Sequence, residues 1–167
     1  MRKVLLVLLW MVSMFGMEIK DSYFIGGGKG LVLVNKDNTK KNDFIEFKVG
    51  RYFYDSNIYN ISNRIYLGTS RVLADDISFY TANINLDWIK PIGFLGPFLG
   101  LNIGYIYYSE NDKDYSSANY GINFGVLFYI GGHFEFEVSA GIDTPTDKNE
   151  KLNSNIKKGY AGVNISF

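Results

Sequence analysis

Glu135 and Glu137 stand two residues apart in Phe134-Glu135-Phe136-Glu137-Val138, a spacing that puts both carboxylates on one face of a β-strand. Two carboxylates on one face could divide acid and base duty in a hydrolysis. They could equally form the anionic half of an ion-pair set, and Lys48, Arg64 and Lys158, in mid- or near-strand positions on the polar face, favour that role. His133 is the single histidine, in a tight Gly131-Gly132-His133 turn, and no serine nearby stands in a nucleophile context. Gly26-Gly27-Gly28-Lys29-Gly30 has the glycines of a phosphate loop but not its Gly-Lys-Ser/Thr ending or its following helix. The acidic runs Glu110–Asp114 and Asp147–Glu150 are interleaved with Lys113, Lys148 and Lys151, which argues against a dedicated calcium site. No catalytic residue, metal or cofactor follows from these residues, so a non-enzymatic protein is expected.

The elements that must position them repeat with a period of two. The last strand, Gly159 to Phe167, turns Ala161, Val163, Ile165 and Phe167 one way and Tyr160, Gly162, Asn164 and Ser166 the other. About eight such runs follow residue 17, at roughly 23–34, 43–53, 58–70, 77–89, 97–109, 118–130, 133–143 and 156–167. One face is bulky and apolar, as in Leu99, Leu101, Ile103, Tyr105 and Tyr107. The other is small, amide-bearing or charged, as in Gly100, Asn102 and Gly104.

Connectors are expected to alternate between long charged loops (35–42, 71–76, 110–114, 144–155) and tighter links (54–57, 91–96, 131–132). Such asymmetry belongs to barrels that cross an outer membrane. Aromatic residues gather at the strand ends, Tyr23, Phe24, Phe53, Trp88, Phe98, Tyr129 and Phe167 on the short-turn side and Phe44, Phe79, Tyr80, Tyr105 and Tyr108 on the long-loop side. They are expected to form two interfacial belts.

Bulk composition agrees. The 167 residues support one domain, Lys+Arg 17 balances Asp+Glu 17, and a nucleic-acid partner is therefore not expected. Mean hydropathy is −0.04, too polar for a helical membrane protein, yet aromatics reach 17%. Alternation reconciles the two, because only every second residue meets lipid. There is no cysteine, hence neither a disulfide framework nor a thiolate site. Arg2 and Lys3 ahead of the apolar run Val4–Met17 suit a secretory signal over residues 1–17, leaving a barrel over 18–167.

The polar face is assigned inward because a narrow eight-stranded barrel has room for Gly and Asn but not for the bulky set. Lys29 is assigned inward as well, since a lysine facing lipid at mid-depth costs about 2–4 kcal/mol. The lumen would then hold Lys29, Lys48, Arg64 and Lys158 against Glu46, Asp87, Glu135 and Glu137, four of each sign. The alternative, a soluble lipocalin-like carrier of apolar ligands, would turn the apolar face inward.

With eight alternating runs, unequal loops, aromatic belts and the terminal Val163-Asn164-Ile165-Ser166-Phe167, the chain resembles the small eight-stranded outer-membrane barrels of the OmpA/OmpX type. That resemblance implies an all-β, antiparallel, up-and-down transmembrane β-barrel, exported to the outer membrane of a Gram-negative bacterium; no periplasmic domain is expected, since the last strand ends the sequence. It implies contact with outer-membrane lipid and lipopolysaccharide. It also implies a terminal aromatic, here Phe167, read by the barrel assembly machinery during insertion. A structural or surface-interaction role is expected, with a filled lumen and no open pore. An outer-membrane lipid-modifying enzyme is the alternative in that setting.

Overall fold

The computed structural model describes residues 21–33, 41–55, 61–73, 77–110, 113–147 and 155–167; the expected signal segment lies outside them. Eight strands follow one another: β1 (Ser22–Leu33), β2 (Lys41–Asp55), β3 (Ile61–Val72), β4 (Ile77–Ile89), β5 (Leu95–Glu110), β6 (Lys113–Ile130), β7 (Phe134–Pro145) and β8 (Ile156–Ser166). Each pairs antiparallel with its sequence neighbour, and β8 pairs with β1 to close the barrel. Closure leaves no edge of unpaired backbone groups, which is what a sheet needs in lipid. The seam is tied at its end by Tyr23 and Phe167, whose N–H groups each donate to the other's carbonyl oxygen, at 3.1 and 2.9 Å.

Period-two alternation decides the faces. Leu99, Leu101, Ile103 and Tyr105 of β5 are all at least half exposed on the outer surface. Asn83, Asn85 and Asp87 of β4 and Glu135 and Glu137 of β7 are buried inside. An outer surface this apolar is stable against hydrocarbon, and in water it would drive association. The polar interior also removes the lipocalin-like alternative, which needs the opposite arrangement.

Three expectations are corrected. Lys29 is exposed on the outer face, opposite Ile45 of β2 and Ala161 of β8. The glycine run forms no bulge; pairing from Ser22 to Leu33 is unbroken, and parity from the buried Phe24 puts residue 29 outside.

The aromatic belts are only partly external. Tyr23, Phe53, Trp88, Tyr80, Tyr105 and Phe167 do face outward, but Phe24, Phe44, Phe79, Phe98, Tyr108 and Tyr129 are buried within the barrel. Neighbouring residues such as Tyr23 and Phe24 cannot share a face of one strand. The inward members form two clusters. One, at the end where β1 meets β2, contains Val32, Phe44, Val72, Phe79, Ile106, Tyr108, Ile156 and Tyr160. The other, at the end of the 131–133 turn, contains Phe24, Tyr52, Tyr66, Ile89, Phe98, Leu127 and Tyr129.

The third correction concerns Glu110–Asp114, which is no long connector. β5 continues to Glu110 and β6 begins at Lys113, with Tyr108↔Tyr115 and Ser109↔Asp114 still in register. At the opposite end Gly93 and Gly131 have φ of 59° and 74°, turn geometry that favours glycine.

Candidate functional site

Between the two aromatic clusters lies a layer of charge. The alternation of β2, β3, β4 and β7 delivers Lys48, Arg64, Asp87 and Glu137 to one level although they are far apart in the chain, and each is at most 2% exposed. Arg64 is the hub. Its Nε and Nη2 donate to Asp87 Oδ2 at 3.0 and 2.6 Å, and its Nη1 donates to Glu137 Oε2 at 3.0 Å. Lys48 Nζ donates to the other oxygen of Glu137 at 2.7 Å. Glu137 thus accepts from two cations, together with Ser139 Oγ at 3.1 Å and Asn164 Nδ2 at 3.2 Å. Asp87 Oδ1 is satisfied by Asn123 Nδ2 at 2.7 Å. A buried ion pair offsets its desolvation only when the remaining lone pairs are also met, and here they are.

Aromatic rings complete the solvation of the cations. The Arg64 guanidinium lies 4.8 Å from the Tyr66 ring centroid and 5.0 Å from that of Phe98. Lys48 Nζ sits 4.0 Å above the ring of Tyr160. Contacts of this kind are worth ~2 kcal/mol when desolvated. They also join the ionic layer to both apolar clusters, since Tyr66 belongs to one and Tyr160 to the other.

Glu135 is held differently. Its partners are neutral donors, the Tyr52 hydroxyl and Asn164 Nδ2, the latter at 3.4 Å. Glu46 and Lys158 stand towards the loop end of the layer and are partly exposed: Glu46 lies 4.0 Å from Lys48, and Lys158 pairs with Asp143 at 2.5 Å. Of the eight residues expected to form a lumen network, seven face the interior and Lys29 does not. Asp143 joins them, so five acids face three bases among the described residues, instead of four of each sign. Asp143 shares the inward parity of Glu135 and Glu137 on β7, so its place was readable in the alternation. The roles of Tyr52, Asn123 and Asn164 were not, because an inward amide or phenol looks like any other until the register is known.

A cavity of about 50 Å³ remains beside the layer, lined among others by Glu46, Lys48, Asn83, Asn102, Asp143 and Lys158. That is room for a few water-sized molecules.

The interior could orient a buried charge or exclude solvent; two hydroxyls touch carboxylates there, Ser139 Oγ on Glu137 and Tyr52 on Glu135, and Glu137 is already held by Lys48 and Arg64. His133 Nδ1 lies 2.9 Å from the carbonyl oxygen of Ser166, at the turn end. Among the described residues no group of three or more His, Cys, Asp or Glu could hold a metal ion.

Comparison with known proteins gives the fold and little else. No protein-family profile matches the sequence, and no curated protein does. Among solved structures, Neisserial surface protein A is similar at a TM-score of 0.61 and 15% identity, over 87% of this chain and 97% of that one. The N-terminal β-barrel domain of Pseudomonas aeruginosa OprF matches at a TM-score of 0.61 and 16% identity, over 89% and 98%. The outer membrane enzyme PagL matches at 0.57 and 10% identity, over 85% and 98%. With its closed antiparallel barrel, apolar outside and paired charges within, the chain has the fold of the small eight-stranded outer-membrane β-barrels.

Proposed function

We propose that this protein is a non-enzymatic integral outer-membrane barrel of a Gram-negative bacterium. Its lumen is closed, and it acts through the end that carries the β1–β2 and β5–β6 connections as a structural or surface-interaction element. The observation that carries this reading is the stacking inside the barrel: an aromatic cluster at each end and a hydrogen-bonded ionic layer between them. A solute would have to displace both clusters and break the Arg64 and Lys48 pairs to pass. The likeness to Neisserial surface protein A supports a surface role.

A leader over residues 1–17, cleaved on export, and recognition of Phe167 by the assembly machinery complete the proposal. Phe167 suits the second task, because the residue is 68% exposed while its backbone closes the seam with Tyr23. The lipid-modifying alternative needs a nucleophile and a base at one rim, and His133 is engaged with a backbone carbonyl instead.

Conductance across a planar lipid bilayer tests the closed lumen. The wild-type protein should give no stepwise current at moderate voltage. The Phe24→Ala, Phe98→Ala, Phe44→Ala, Phe79→Ala variant, thinned at both clusters, should give measurable leak. Regular open-channel steps from the wild type would overturn the reading.

A further inference from the structure

The displacement of Lys29 to the outside creates a feature that a closed lumen does not use. Lys29 of β1, Ile45 of β2, Arg71 of β3 and Tyr80 of β4 are successive partners in one cross-strand row, all exposed on the outer surface. At one strand spacing per step, Lys29 and Arg71 are roughly 10 Å apart. Lys29 lies six residues along β1 from Tyr23, roughly 20 Å at the usual strand rise, with Leu31 still beyond it. It is therefore inside the apolar band, where an uncompensated cation is unfavourable.

Arg71 leans on an aromatic ring, with its guanidinium carbon 5.4 Å from the Tyr80 centroid. Neither cation has an ion-pair partner among the described residues. Asp43, one outward position above Ile45 on β2, pairs with neither.

Directly beside this row, towards the middle of the barrel, the next outward row reads Phe47–Thr69–Ala82–Tyr105, bulky at both ends and small in the centre. The result is a groove of about 430 Å³ on the outer wall, floored by Thr69 and Ala82 and bounded by Phe47 and Tyr105, with Arg71 and Tyr80 at its head. Behind the floor the wall is braced by a 2.7 Å hydrogen bond between the hydroxyls of Ser70 and Thr81. A trough of this shape suits an alkyl chain, and a guanidinium at its head suits a phosphate, which it can engage through two N–H groups. Two cations a disaccharide's width apart suit a lipid carrying two phosphates on a sugar backbone.

We propose that Lys29, Arg71 and the Thr69–Ala82 groove form a binding site for one molecule of lipid A, the phosphorylated glycolipid of the outer leaflet. Arg71 and Lys29 take its phosphates and the groove takes an acyl chain. This rests on the outer-membrane reading above, with the loop end of the barrel in the outer leaflet. The lipid supplies anions to two cations that have no ion-pair partner among the described residues, and the barrel gains a fixed lipid neighbour on its β1–β5 side.

Native mass spectrometry of the full chain, folded in detergent and titrated with diphosphoryl lipid A or phosphatidylglycerol, tests it. Heat-modifiable gel mobility certifies each variant as folded. The wild type should retain a single lipid A at least tenfold more tightly than phosphatidylglycerol. Lys29→Gln with Arg71→Gln should lose that preference. Ala82→Phe, which fills the groove and keeps both cations, should weaken lipid A by a similar factor. Equal retention of the two lipids by the wild type, or lipid A binding unchanged in either variant, would overturn the site while leaving the barrel reading intact. A chain that shows no heat-modifiable form at all would instead remove the membrane reading on which the site rests.

Discussion

Arg64 and Glu137 are 73 residues apart in the chain and meet at 3.0 Å at the centre of the barrel, with side-chain exposures of 0% and 1%. Neither could be buried alone. The pair exists because β3 and β7 both present a charge at an inward position and the closed register brings the two levels together. Lys48 and Asp87 then extend the contact into a chain of alternating sign across the lumen.

The two glutamates of β7 should differ sharply when neutralised. Glu137→Gln leaves Lys48 and Arg64 short of one anion and should cost about 3–5 kcal/mol of stability. Glu135→Gln disturbs only contacts from Tyr52 and Asn164, and should cost about 0.5–1.5 kcal/mol. Urea unfolding in lipid vesicles, followed by tryptophan fluorescence, separates them. Equal losses would show that the ionic layer is not organised around Glu137.

Arg64→Lys should not be conservative. The guanidinium reaches Asp87 through two nitrogens and Glu137 through a third, and an ammonium cannot hold that fork. Loss of one charged hydrogen bond corresponds to about 1.5–3 kcal/mol. The same unfolding experiment checks it, and wild-type stability in Arg64→Lys would contradict the hub role.

Inward and outward glycines should respond oppositely to a methyl group. At Gly100 an added Cβ would run into Asp87 Oδ1 and Asn123, so Gly100→Ala should cost about 1–3 kcal/mol. At Gly159 nothing lies within 4 Å of that position, so Gly159→Ala should be neutral or slightly stabilising. Comparable penalties at both sites would mean that the lumen is not tightly filled around the ionic layer.

Lys29 gives a direct test of the face assignment. In vesicles of zwitterionic phospholipid without lipid A, Lys29→Leu should stabilise the barrel by about 1–2 kcal/mol, between the midplane and interface values for a lipid-facing cation. An inward Lys29 would make the same substitution strongly destabilising, by stranding a carboxylate.

Most of the fold was legible because the two faces meet different media, and chemistry alternates wherever side chains alternate. It failed where side chains are missing or ambiguous. Gly26, Gly27, Gly28 and Gly30 carry no side chain, so Lys29 could be assigned only by cost, and cost pointed inward when the register pointed out. Aromatic residues are at home both in an interfacial belt and in a plug. Sequence alone therefore puts Phe24 and Phe98 at the correct end of the barrel and on the wrong face. The charged tip at 110–114 read as a loop because hydropathy marks where the lipid ends, and strand pairing continues past that point. The ionic layer was legible as a set of inward charges; its hub and its neutral donors required the register.

The most direct test of the central claim is the gel mobility of the protein taken from an outer-membrane fraction, with and without boiling. A membrane-spanning barrel held by a closed backbone ladder should resist detergent, migrate as a compact species unboiled and shift on heating. A protein recovered free in the periplasm, with a single mobility under both treatments, would contradict the account.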